Sequence, residues 1–110
     1  MKNSPLHNLF SLKNKLAVVI GGGGHLCSSM AEGLAMAGAS IAILDLRLEK
    51  ASKVAEKIRD EYKVKTIALE VNVTSEESLK NALTNIRKRF ENIDILINGA
   101  GINSPKPFLE

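Results

Sequence analysis

A chain of 110 residues, 45% hydrophobic and 25% charged, has the make-up of one globular domain. The net charge of +3 is spread along the sequence and aromatic residues make up only 4%, which argues against a nucleic-acid surface of basic patches and stacking rings. A single cysteine excludes an intrachain disulfide and suits a reducing cytoplasm. With no charged-then-apolar leader and no run of ~18 apolar residues, neither secretion nor membrane insertion is expected.

Residues 1–11 are polar, contain Pro5 and His7 and show no period, so they read as a loosely held arm before a domain over 12–110. Five apolar residues, Leu16 to Ile20, are too few for a globular helix and predict a strand buried on both faces. Gly21, Gly22, Gly23 and Gly24 come directly after it. From Leu26 to Ala37 the pattern is helical, with Leu26, Met30, Leu34 and Ala37 as its apolar face. Ile41 to Leu44 form a second buried strand that ends at Asp45.

The helical period then returns with Leu48, Ala51, Val54, Ala55, Ile58 and Tyr62 inward, and with Lys50, Lys53 and Glu56 among the residues facing water. A third strand is expected over 65–71. Thr74-x-x-Glu77 has the form of a capping box, opening a helix with Leu79, Ala82, Leu83, Ile86 and Phe90 inward. The basic run Arg87-Lys88-Arg89 suits that helix's C-terminus. Ile93 to Ile97 form the fourth strand, and Pro105 and Pro107 interrupt any regular structure near the C-terminus. Strands alternating with helices over short connections predict an α/β, Rossmann-type doubly wound parallel sheet.

The chemistry concentrates between the first and second strands. Glycine lets the backbone turn sharply and approach a ligand closely. A glycine loop between strand and helix aims free N–H groups and a positive helix end at one point, an anion site whose usual occupant is a pyrophosphate. Asp45, about 20 residues on, is placed to accept from a ribose hydroxyl pair. It is also a candidate to cap the next helix, and both roles can hold together. A P-loop is excluded because the glycines do not lead into Gly-Lys-Ser/Thr, and G-x-G-x-x-G fails at Leu26 and Cys27.

The loop resembles instead the T-G-x-x-x-G-x-G loop of short-chain dehydrogenases/reductases, with Ile20 at the Thr, Gly21 at the first Gly, His25 at the second and Cys27 at the third. Three further stretches fall in register. Phe10 to Lys15 is similar to the family's lead-in, with Asn14 at a left-handed turn. Asn72-Val73 stands where the family has Asp-Val beside the adenine. Ile93-Asp94 with Leu96-Ile97-Asn98-Gly99-Ala100-Gly101-Ile102 is similar to its h-D-h-h-h-N-N-A-G-h, Gly99 replacing the second Asn. Gly-Gly-Gly-Gly-x-Leu-Cys, closing on Ala-Ile-Leu-Asp45, resembles the D-mannonate oxidoreductase (fructuronate reductase) branch.

The resemblance implies strand order 3-2-1-4 in an incomplete sheet. It places the cofactor against Gly21, Gly23, Gly24, His25 and Leu26, against Asp45 and Leu46, against Asn72 and Val73, and against Asn98, Gly99 and Ala100. Asp45 opposes a 2′-phosphate even with Arg47 close by, so NAD is expected over NADP. Asp94 is expected as an internal brace, and Cys27 as a small residue at a close helix–strand contact rather than a reactive thiol. No metal site is expected.

The family's Ser and Tyr-x-x-x-Lys find no match, since Tyr62 is the one tyrosine and Thr66 stands four residues on. These residues are therefore expected to be the cofactor-binding half of an NAD-dependent oxidoreductase on a small-molecule substrate, a sugar acid or polyol, inactive by itself. The whole enzyme would be a cytoplasmic homo-oligomer. The alternative is a non-catalytic nucleotide-binding or interaction module. A flavodoxin-like or response-regulator domain is disfavoured, because a phosphoacceptor's acidic cluster and Lys are not evident.

Overall fold

The computed structural model describes residues 11–21 and 23–99. Strands β1 (Leu16–Ile20), β2 (Ser40–Asp45), β3 (Thr66–Glu70) and β4 (Ile95–Asn98) alternate with helices α1 (His25–Met36), α2 (Leu48–Tyr62) and α3 (Glu76–Arg89). The strands form one sheet in the order β3-β2-β1-β4, every pair parallel, with Val18 opposite Ala42 and Leu96. This is the expected 3-2-1-4 arrangement.

β1 is buried along its whole length, as a central strand covered on both faces must be. Its side chains alternate between two cores. Ala17 and Val19 join Ile41, Ile43, Ala31, Ala35, Ala51 and Ile58 under α1 and α2. Leu16, Val18 and Ile20 join Ala42, Leu44, Ala82 and Ile86 under α3. The result is three layers, with the C-terminal ends of β1, β2 and β4 meeting at one edge.

Several elements differ in detail from the sequence-based expectation. α1 buries Cys27, Ala31 and Ala35, not the expected stripe: Leu26 is 61% and Met30 43% exposed, with Leu34 half-buried. Small residues let the helix axis come close to the sheet, so size and not hydropathy selects the buried face. α3 starts one residue later than the capping box implies, because Ser75 is the N-cap and its hydroxyl accepts from Ser78 N at 3.1 Å. Thr74 is otherwise engaged, its Oγ1 donating to Asn72 Oδ1 at 2.7 Å. β4 begins at Ile95, two residues after the expected start.

Two turns fix the entry to β1. Asn14 has φ 69°, the left-handed conformation expected of it. Gly38, after α1, has φ 103°, and a Cβ there would crowd Lys13 N at 3.3 Å. Asp94 braces the start of β1, its Oδ2 accepting from Leu16 N at 2.9 Å. Residues 1–10 of the arm expected over 1–11, Ala100, Gly101 and the prolines at 105 and 107 lie outside the described residues, as does Gly22.

Candidate dinucleotide site

Where β1 ends, the chain turns under Gly21, which has φ 79° and donates its N–H to Leu44 O at 2.6 Å. A glycine tolerates that left-handed backbone without a Cβ clash. Gly24 N closes the loop onto Gly21 O at 3.1 Å. Gly24 is then the N-cap of α1, with no side-chain capping bond and no acid in the first turn. The first turns of the other helices carry Glu49, and Glu76 with Glu77. Of the three, α1 alone offers an anion a helix end without a carboxylate in its first turn.

Asp45 stands across from this loop at the end of β2, half-buried. Its Oδ2 accepts from Gly23 N at 3.0 Å and its Oδ1 from Arg47 N at 3.0 Å. One carboxylate thus pins the glycine loop and shapes the turn into α2. It is not that helix's N-cap, a position held by Arg47. Each oxygen still has lone-pair capacity for a further donor.

Between these parts lies a cavity of about 480 Å³. Seven expected site residues line it: Gly21, Gly24, Asp45, Leu46, Asn72, Val73 and Gly99. Leu46 and Val73 are 65% and 42% exposed and supply apolar surface on which a flat ring can lie. Gly23 reaches the site through its bond to Asp45. His25, Leu26 and Asn98 do not line the cavity; His25 and Leu26 form the exposed start of α1, and Ala100 lies outside the described residues. Asn72 Oδ1, expected to accept from an adenine amino group, already accepts from Thr74 N at 3.0 Å and Thr74 Oγ1 at 2.7 Å, so it shapes the turn after β3.

One charged side chain on this wall is not foreseen from the sequence. Lys50, which helical period assigns to solvent, lines the cavity with Arg47, and Thr74 completes the rim. The available signal is position: Lys50 is three residues past Arg47 in the first turn after Asp45, where helix faces swing back over the strand end.

Elsewhere the structure offers little chemistry. Tyr62, half-buried, donates to Glu32 Oε1 at 3.5 Å between α1 and α2, remote from the cavity lining. Partial burial and then the charges of Glu61 and Glu32 push its hydroxyl above the ordinary tyrosine value, against Lys57. Among the described residues no three His, Cys, Asp or Glu side chains converge as metal ligands would, and no helix is long and apolar enough to cross a membrane.

Comparison with known proteins agrees with this geometry. Residues 15–110 match the short chain dehydrogenase family. An uncharacterized oxidoreductase of Haemophilus influenzae is 46% identical over 96 residues, covering 87% of this chain and 33% of that one. The 5-keto-D-gluconate 5-reductase of Escherichia coli is 34% identical, covering 96% of this chain and 41% of that one. Among solved structures, a Haemophilus protein named as a candidate D-mannonate oxidoreductase, with bound NAD, superposes with a TM-score of 0.81 at 43% identity. It is covered to 35% by 91% of this chain. The L-sorbose reductase of Gluconobacter frateurii, complexed with NADPH and L-sorbose, gives a TM-score of 0.82 at 26% identity, over 92% of this chain and 38% of that one. The chain therefore spans between a third and two-fifths of the length of these relatives. With a family model matching residues 15–110 and a parallel sheet in the order 3-2-1-4, the chain belongs to the short-chain dehydrogenase family of oxidoreductases.

Proposed function

We propose that this chain forms the cofactor-binding half of an NAD-dependent oxidoreductase acting on a sugar acid or polyol. The carrying observation is Asp45, whose carboxylate faces the cavity from the end of β2 while holding the glycine loop through Gly23 N. In this reading the uncapped start of α1 receives the pyrophosphate, and Asp45 accepts from the adenosine ribose hydroxyls. Leu46 and Val73 flank the adenine, and Gly99 forms the wall toward the nicotinamide side. The cofactor, when bound, supplies the hydride acceptor or donor. The residues of this half hold and orient it.

Charge supports NAD over NADP, because a 2′-phosphate next to Asp45 meets a like charge in a partly desolvated site. Arg47 and Lys50 on the same wall favour the phosphate, so Asp45 decides the preference. Substrate class rests on the relatives: a 5-keto-D-gluconate reductase, a D-mannonate oxidoreductase candidate and an L-sorbose reductase all carry names that place them on sugars or sugar acids. A cytoplasmic homo-oligomer is part of the same proposal.

Calorimetric titration of the natural full-length protein tests the cofactor role. Charge-assisted hydrogen bonds contribute ~1.5–3 kcal/mol each, so Asp45→Ala weakens NAD by roughly 10- to 100-fold while NADP affinity holds or rises. Unchanged NAD affinity rules out the ribose role. The second reading is a nucleotide-binding module without catalysis. A Ser and a Tyr-x-x-x-Lys encoded in frame past Glu110 would decide for the enzyme, and a stop codon for the module.

A further inference from the structure

Cys27 and Gly99, two of the positions at which this chain departs from its family's loop and strand-end patterns, meet in space. Gly99 N donates to Ile20 O at 2.8 Å, tying the end of β4 to the end of β1 beside the cavity. A Cβ built on Gly99 would fall on Cys27 Sγ, with Ile20 O only 3.1 Å away and Cys27 Cβ at 3.6 Å. Cys27 is 5% exposed, in the first turn of α1. Gly99 is not among the residues with positive φ, so its backbone does not demand glycine. The thiol is the first obstacle to a side chain there, with the Ile20 carbonyl a tighter-than-usual second contact.

We infer that Cys27 and Gly99 are a compensating pair: the volume beside the Ile20–Gly99 bond admits one side chain, and here α1 supplies it instead of β4. In the family's pattern residue 27 is glycine and residue 99 asparagine, so the side chain stands on the strand and the bare position on the helix. Cys27 is thereby a positioning residue. Its thiol packs the glycine-loop helix against the β4 end and fixes where Gly99 walls the cavity. A residue at 99 larger than glycine must turn the Cys27 thiol out of its place or push α1 or the β4 end aside, and each changes the packing beside the cavity. The pairing itself stands on packing; its effect on binding rests on the proposed dinucleotide role of the cavity.

A double-mutant cycle in the natural full-length protein tests the pair, using Gly99→Ala, Cys27→Ala and both together. Alanine at 27 removes Sγ and leaves a Cβ at ordinary contact distance from the new Cβ at 99. Gly99→Ala is expected to lower the melting midpoint by roughly 5–15 °C through overpacking. Cys27→Ala should lower it by less, and the double variant should regain most of the loss. If Gly99→Ala alone yields no folded protein, recovery of folded protein in the double variant is the supporting result. Additive losses, or a double variant worse than either single one, overturn the pairing. Calorimetry with NAD supplies the second readout: Gly99→Ala raises Kd roughly tenfold and the double variant restores it. Coupled melts with equal Kd in all variants overturn the positioning role. Coupled melts with no NAD bound by any variant, the parent included, overturn the dinucleotide role and leave the pairing intact.

Discussion

Gly23 carries a constraint that its neighbour Gly24 does not. A Cβ on Gly23 would lie 2.8 Å from Asp45 Oδ2 and 2.8 Å from Lys50 Cβ, whereas on Gly24 it would meet only Gly21 O at 3.4 Å. Gly24 also sits at φ −78° and ψ 160°, a conformation open to any residue. Gly23→Ala should therefore cost ~1–3 kcal/mol through overpacking and the strained bond to Asp45. Gly24→Ala should cost less, ~0.5–1 kcal/mol, because glycine is preferred to alanine at a helix N-cap. Urea denaturation of the two variants checks this, and equal losses would mean that the loop, not the carboxylate behind it, sets the requirement. Four glycines in a row announce a turn and a close approach, but they do not say which glycine is backed by a side chain. That distinction depends on Asp45 and Lys50, residues 22 and 27 positions on, folding over the loop, and no local pattern encodes it. Asp45 is legible because a carboxylate ending a buried strand has few other uses. Lys50 is not, since helical period alone cannot tell a lysine facing water from one on the rim of a cavity.

At the level of elements, composition and period dictate the strands and helices, while contacts dictate their ends and faces. The buried runs Leu16–Ile20 and Ile41–Leu44 could only be strands, and the structure keeps both. α2 likewise turns Ala51, Ala55 and Ile58 inward as its period requires. α1 breaks the rule because close packing under the glycine loop selects small side chains, leaving Met30 outside and Ala31 wholly buried. α3 breaks it in a different way. Thr74 and Ser75 are adjacent candidates for the same cap, and the choice is made by Asn72, which draws the Thr74 N–H and hydroxyl into its own turn. Ser75 is left to cap through Ser78 N, while Ser78 Oγ accepts from Asn72 N at 2.9 Å. Ser75→Ala should accordingly cost ~1 kcal/mol of stability, as loss of an N-cap does. Thr74→Ala, which removes one exposed hydrogen bond, should cost ~0.5 kcal/mol or less. Thermal melts of the two variants in parallel would show the order, and the reverse order would place the cap at Thr74 as the capping-box pattern implies.

For the molecule as a whole, the strand order among the described residues leaves β4 at an edge whose two faces are unequally covered. Ile95 and Ile97 lie opposite Ala17 and Val19 and pack half-buried on the α1 and α2 side. Leu96 lies opposite Val18 on the α3 side, yet Val18 is fully buried and Leu96 is 61% exposed. α3 thus reaches across β1 but stops short of β4. A parallel strand expects cover on both faces, and an apolar edge with unpaired backbone groups templates pairing with another chain. The Haemophilus and Escherichia relatives are between two and three times as long as this chain, so further chain is available in them to complete such a sheet. The polypeptide Met1–Glu110 prepared alone is without the additional length those relatives carry. It should pair or swap at β4, and light scattering after size exclusion at high micromolar concentration should show a dimer or larger species. Leu96→Lys, which sets a charge at the bare edge position, should shift that population toward monomer. A wild-type monomer that melts cooperatively at the same concentration would show that the edge is protected within the chain, and would remove the argument that the uncovered face of β4 drives association.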